Sequence, residues 1–97
     1  MMNTETILTQ LKQFKQQYAQ QYHLKSLGIF GSHARHQATS SSDIDIFFET
    51  DTPNLLTTAR LQQELTELLH CRVDLIRLRP SMNPKLKAHI ISEAIYV

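Results

Sequence analysis

Three of the four aspartates in this 97-residue chain, Asp43, Asp45 and Asp74, fall inside the two runs that read most clearly as strands. These are Asp43-Ile44-Asp45-Ile46-Phe47-Phe48-Glu49 and Val73-Asp74-Leu75-Ile76. Aspartate is depleted in strands, and a half-buried ionised carboxylate is costly unless it is paired or coordinated. Alternation along a strand places Asp43, Asp45, Phe47 and Glu49 on one face and Ile44, Ile46 and Phe48 on the other. Basic partners are scarce: none follows Arg35 before Asp43, and Arg77, three residues beyond Asp74, favours the opposite side. A hard divalent cation such as Mg²⁺ satisfies clustered carboxylates and keeps positions open for phosphate oxygens. The expectation is a two-metal site, in which ions about 3.5–4 Å apart clamp the attacking and leaving oxygens of an in-line displacement. Asp43 and Asp45 would bridge both ions. Asp74 would complete one shell and orient or deprotonate an attacking hydroxyl.

A second feature precedes the acids. Gly31-Ser32 ends the apolar run Leu24 to Phe30, and a glycine there lets backbone N–H groups approach phosphates closely. A short helix over 32–37, capped by Ser32, would add partial positive charge at its start and a hydroxyl for one more hydrogen bond. Each piece alone has an ordinary reading: an isolated Asp-x-Asp is usually a solvated edge, and a Gly-Ser is a strand end. Together they are specific, because an apolar strand, a Gly-Ser turn, ten intervening residues and an acid pair heading a second strand occur in one order.

The elements that must position these residues are legible from periodicity. Ile7, Leu8, Leu11, Phe14, Tyr18 and Tyr22 recur at helical spacing, with Thr4 as the expected N-cap and six glutamines over residues 10–21 mostly on the polar face. Leu24 to Phe30 is the first strand. Residues 38–42 form a small, polar surface loop that leads into the second. After a turn at Thr52-Pro53-Asn54, a second long helix carries Leu55, Leu56, Ala59, Leu61, Glu64, Leu65, Leu68 and Leu69, ending near His70 and Cys71. The third strand follows at once. Pro80 and Pro84 bracket a loop before a last helix with Leu86, Ile90 and Ile91 as its inner stripe, and Ala94 to Val97 forms a short fourth strand. Strands alternating with helices predict an α/β or α+β fold, with a small mixed sheet of three to four strands flanked by helices, in one domain over 1–97.

Gly31-Ser32-His33-Ala34-Arg35, the ten-residue spacing and Ser42-Asp43-Ile44-Asp45-Ile46 resemble the minimal nucleotidyltransferases of the DNA polymerase beta superfamily. The resemblance extends through Val73-Asp74-Leu75 and Asn83-Pro84 and covers roughly residues 25–97. It implies a nucleotidyltransferase fold, with Asp43 and Asp45 as metal ligands, Asp74 as the third catalytic and metal-binding carboxylate, and Gly31 and Ser32 as the triphosphate turn. Arg35 stands where many relatives also have arginine and would contact phosphate; a solvated helix-face arginine is the ordinary alternative. His36 departs from the family, which often has glycine there.

Composition bounds the role. A net charge of +1 lacks the basic excess of sequence-independent nucleic-acid binding, and no apolar stretch approaches the span of a membrane helix. One cysteine, Cys71, allows no intrachain disulfide, so the reducing cytoplasm is the expected compartment. His33 and His36, three apart, have no further cysteine or histidine close by to complete a zinc site. Phe47 and Phe48 are expected to divide between core and the wall of an adenine site. A chain of this length has room for the nucleotide half of the reaction, so the acceptor hydroxyl is expected on another macromolecule. Among relatives of this size, the resemblance implies an antitoxin that pairs, as a hetero-oligomer, with a HEPN-domain ribonuclease toxin. It would transfer AMP from ATP, with two Mg²⁺ ions, to a tyrosine hydroxyl of that toxin and so neutralise it. A toxin-sequestering antitoxin without catalysis, and a small-molecule nucleotidyltransferase acting on an aminoglycoside-like acceptor, are the alternatives.

Overall fold

The computed structural model describes residues 3–39 and 42–97. Ser40 and Ser41, in the loop expected over 38–42, lie outside the described residues. In chain order the elements are α1 (Thr4–Tyr22), β1 (Leu24–Phe30), α2 (Gly31–Ala34), β2 (Ile44–Thr50), α3 (Leu55–Leu69), β3 (Val73–Arg77), α4 (Pro84–Glu93) and β4 (Ile95–Tyr96). The strands form one mixed sheet in the order β3-β2-β1-β4. β1 runs antiparallel to both β2 and β4, while β2 and β3 are parallel and joined through α3. This crossover is what a parallel pair requires, since a tight turn cannot connect parallel strands.

Helices cover both faces. On one face Ile7, Leu11 and Phe14 of α1 and Leu61, Leu65 and Leu69 of α3 pack on Leu27, Ile29, Ile44, Ile46 and Phe48. On the other, Phe30, Phe47, Leu78, Met82 and Ile90 form a smaller cluster beneath α4. Alternation along β2 therefore divides Ile44, Ile46 and Phe48 from Asp45 and Phe47, as its sequence pattern requires. Phe47 and Phe48 are both fully enclosed, on opposite faces, so neither walls an open adenine site as expected. Phe47 has space because Gly28 lies opposite it in β1: a Cβ on Gly28 would stand 2.5 Å from the Phe47 ring and 2.3 Å from the Ile95 carbonyl oxygen.

Local chemistry sets the element ends. Asn3, not Thr4, is the N-cap of α1, its side chain accepting from the Thr6 N–H at 2.8 Å. Thr4 is instead the first helical residue, buried, with its hydroxyl donating to the His33 carbonyl at 2.8 Å and tying α1 to α2. Asn54 and Asn83 cap α3 and α4, the latter followed by Pro84 in its first turn, where proline's missing N–H has no consequence. His23 and His70 close α1 and α3 in the left-handed conformation. Two apolar stripes are narrower than expected. Leu55 and Leu56 are exposed at the start of α3, and of Leu86, Ile90 and Ile91 only Ile90 is buried. No helix among the described residues is long and apolar enough to cross a membrane.

Candidate active site

Strand register brings the sequence-distant acids together. Asp45 of β2 is paired with Asp74 of β3 in the parallel ladder, and with Phe30 of β1 on its other side. Paired residues share a face, so Asp45 and Asp74 stand side by side on the α4 face. Gly31 follows Phe30 at once and leaves the sheet beside Asp45. Asp43 is not within β2 but one residue ahead of it. The head of the strand is held by the Ile44 N–H donating to the Arg72 carbonyl at 3.0 Å. Arg72 Nε then lies 4.0 Å from Asp43 Oδ1, an exposed and weak pair that composition near Asp43 did not suggest.

The three carboxylates differ in setting. Asp43 and Asp74 are exposed, whereas Asp45 is half-buried, so the desolvation argued for all three applies to Asp45 alone. Its pKa is raised above the ordinary aspartate value, first by burial and then by the negative charges of Asp74 and Asp43; His33 and Arg35 act in the opposite direction. Gly31 has φ +73°, a left-handed conformation, and a Cβ there would meet Asp45 Oδ2 at 2.1 Å. Glycine at this position is required twice, by the backbone and by the carboxylate packed against it. Ser32 lies next in α2, whose N-cap is Phe30 rather than Ser32, with no side-chain capping bond. The Ser32 carbonyl accepts from the Gln37 N–H at 2.8 Å and closes the turn.

Among the described residues no three His, Cys, Asp or Glu side chains close into a ready-made metal cage. The donor set nonetheless suits a hard divalent cation. Mg²⁺ is commonly held by one or two carboxylates, with phosphate oxygens and water completing the shell. The crowding of like charge that raises the Asp45 pKa is what a cation among Asp43, Asp45 and Asp74 would relieve.

Arg35 ends α2 and is ion-paired to Glu93 at the end of α4, with its Nε donating to Gln37 Oε1 at 3.0 Å. It is therefore not simply a solvated arginine. Glu93 went unrecognised in the sequence; the one signal available was an acid in the last turn of a helix, where the macrodipole disfavours negative charge. His33 is buried and its Nε2 has no hydrogen-bond partner. His36 adopts φ +58°, a left-handed conformation in which glycine carries the least strain. A hollow of about 500 Å³ between α1 and α3 is lined by Gln10, Gln13, Gln17 and Glu64, but it lies across the sheet from the acids.

Residues 12–97 match the polymerase beta nucleotidyltransferase family. A Methanocaldococcus jannaschii protein provisionally named a protein adenylyltransferase is 39% identical over 88 residues, covering 90% of each chain. The protein adenylyltransferase MntA of Thermococcus cleftensis is 31% identical over 98 residues, covering 100% of this chain and 98% of its own. Among solved structures, one provisionally named a minimal nucleotidyltransferase superposes with a TM-score of 0.80 at 30% identity, over 97% of this chain and 95% of that one. A toxin–antitoxin structure with AMP-PNP gives 0.72 at 27% identity, over 90% and 70%. The MNT antitoxin in complex with a tri-AMPylated HEPN toxin of Shewanella oneidensis gives 0.64 at 26%, over 92% and 68%. With acids, glycine turn and sheet arranged as described, and with a family match over most of its length, this chain belongs to the polymerase beta nucleotidyltransferases, with minimal nucleotidyltransferases among its structural neighbours.

Proposed function

We propose that this chain is the antitoxin of a two-component system and a protein adenylyltransferase, which transfers AMP from ATP to a tyrosine hydroxyl of a cognate HEPN ribonuclease toxin. The observation that carries the reading is the register that sets Asp45 beside Asp74, with the Gly31 turn against Asp45. Identity to protein adenylyltransferases supports the reaction class, and the neighbouring complexes with AMP-PNP and with an AMPylated HEPN toxin support nucleotide and acceptor.

In this mechanism Asp43, Asp45 and Asp74 would hold two Mg²⁺ ions. When bound, such ions supply Lewis-acid stabilisation of the charge that develops on the phosphate oxygens. Asp45, fixed between β1 and β3 and backed by the buried Gly31, is the immobile member of the set. The Gly31-Ser32 backbone receives the triphosphate, where a side chain at 31 would collide with Asp45. Exposed Asp74 orients the tyrosine hydroxyl and accepts its proton. The tyrosine oxygen forms a bond to the α-phosphorus, the bond to the bridging oxygen breaks, and pyrophosphate leaves. Charge and bulk added beside the toxin's catalytic motif then obstruct RNA.

Intact-mass measurement of both chains after incubation with ATP, Mg²⁺ and a candidate HEPN toxin tests the proposal. Expected is a gain of one or more AMP units on the toxin, absent with Asp43→Asn. Tight association with no mass gain would contradict it and favour neutralisation by sequestration. Transfer to a small hydroxyl compound without a protein partner would contradict it in favour of a small-molecule transferase.

A further inference from the structure

Glu93 occupies an unusual position. It is the last residue of α4, where the unpaired carbonyls disfavour a carboxylate, and its side chain is only 13% exposed. Groups at the end of α2 and on its own helix compensate. Arg35 Nη1 donates to Oε2, and it is the largest of the influences that hold the Glu93 pKa below the ordinary range. His89 Nε2 stands 3.3 Å from Oε1, a charged pair when His89 is protonated, but no hydrogen bond is made there and Oε1 is buried without a partner. The Arg35 guanidinium, a cation one helical turn from Gly31-Ser32, is thus turned onto an internal carboxylate. A guanidinium recognises carboxylate and phosphate oxygens by the same charge-assisted hydrogen bonds.

We propose that Glu93 is a positioning residue that sets nucleotide affinity: its carboxylate holds Arg35 in the nucleotide-free chain and competes with the nucleotide's phosphate oxygens for it. The proposal rests on the nucleotidyltransferase reading above. It gives a sign opposite to that of a purely supporting ion pair. If Glu93 only braced Arg35, its removal would weaken binding; as a competitor, its removal strengthens it. Asp43, Asp45 and Asp74 already make the neighbourhood negative, so neutralising a fourth acid further favours an incoming polyphosphate.

The test is calorimetric titration of AMP-PNP with Mg²⁺ into the full chain as wild type, Glu93→Gln, Arg35→Gln and the double variant, with thermal unfolding as a folding check. Glu93→Gln is expected to bind about fivefold more tightly and Arg35→Gln about tenfold more weakly. In the Arg35→Gln background, Glu93→Gln is expected to change affinity by less than about twofold, because the two residues act through one contact. Inorganic tripolyphosphate should follow the same order, which locates the effect at the phosphates rather than the base. In steady state the KM for ATP falls while kcat stays within about twofold, a split that a merely structural change would not give. Should Glu93→Gln fold poorly, Glu93→Asp, which keeps the charge but shortens its reach, is expected to tighten binding by about twofold. Weaker or unchanged binding by a folded Glu93 variant overturns the proposal. Absence of binding by the wild-type chain overturns the nucleotide reading itself, and the two failures are told apart by that titration.

Discussion

The two faces of the sheet are built for different work. Beneath α1 and α3, fourteen buried side chains form a continuous apolar layer; beneath α4 there are five, and they share their face with Asp45 and Asp74. The imbalance indicates where stability resides, because burial of apolar area is the dominant favourable term and most of that area lies on the first face. The α4 face can then carry what the other could not: a half-buried carboxylate under repulsion from two more, a left-handed glycine pressed against it, and an ion pair linking α2 to α4. Local features that would be faults in a core are tolerated here because the opposite face holds the fold.

Substitutions break this division in a graded way. Leu65→Ala, in the middle of the larger core, is expected to lower stability by about 3 kcal/mol, read as a large fall in Tm, while the surviving folded fraction retains its transfer activity. Gly31→Ala is expected to act in the reverse sense. It forces Asp45 aside and reduces AMP transfer by about a hundredfold, or about 2.7 kcal/mol in barrier, with a smaller loss of Tm. Gly28→Ala drives a methyl into Phe47 and the β4 backbone and should destabilise by about 1–2 kcal/mol, visible in chemical denaturation, since those atoms have little room to retreat. Leu86→Ala, 44% exposed on α4, is expected to shift stability by less than about 0.5 kcal/mol in the same measurement, which sharpens the contrast with Leu65.

The larger core was the legible one. α1, β1 and α3 follow from unbroken apolar periodicity, and that periodicity arises from burying one side of each element. Asp43, Asp45 and Asp74 stood out in the sequence as carboxylates in strand-like runs, but only Asp45 is half-buried; Asp43 precedes β2, and both it and Asp74 are exposed. Near misses came from local competition: Asn3 took the cap from Thr4, and Phe30 took it from Ser32 once Gly31 adopted positive φ. Leu55 and Leu56 fit the helical period yet face outward, because period alone does not set where a helix leaves its partner. What sequence spacing could not supply were pairings across long separations. Arg35 and Glu93 are 58 residues apart, and the Gly28–Phe47 fit depends on a strand register that no single run encodes.

Asp45 joins the two halves of the account. Its raised pKa means the folded chain binds that proton more tightly than the unfolded chain does. The associated stability is present below the unfolded aspartate pKa of about 3.9 and is lost as pH rises through the folded value. At neutral pH the ionised carboxylate therefore opposes folding. The most direct measurement is Asp45→Asn against wild type, with AMP transfer and Tm determined on the same preparations at pH 7 and again in acid, without added Mg²⁺ in the Tm series. Expected is loss of transfer together with a Tm raised at pH 7 by about 2–4 °C, the effect being moderated by partial exposure, and a difference that shrinks towards zero in acid. Transfer retained by Asp45→Asn, or a Tm lowered at pH 7, would contradict the claim that this face gives up stability for chemistry.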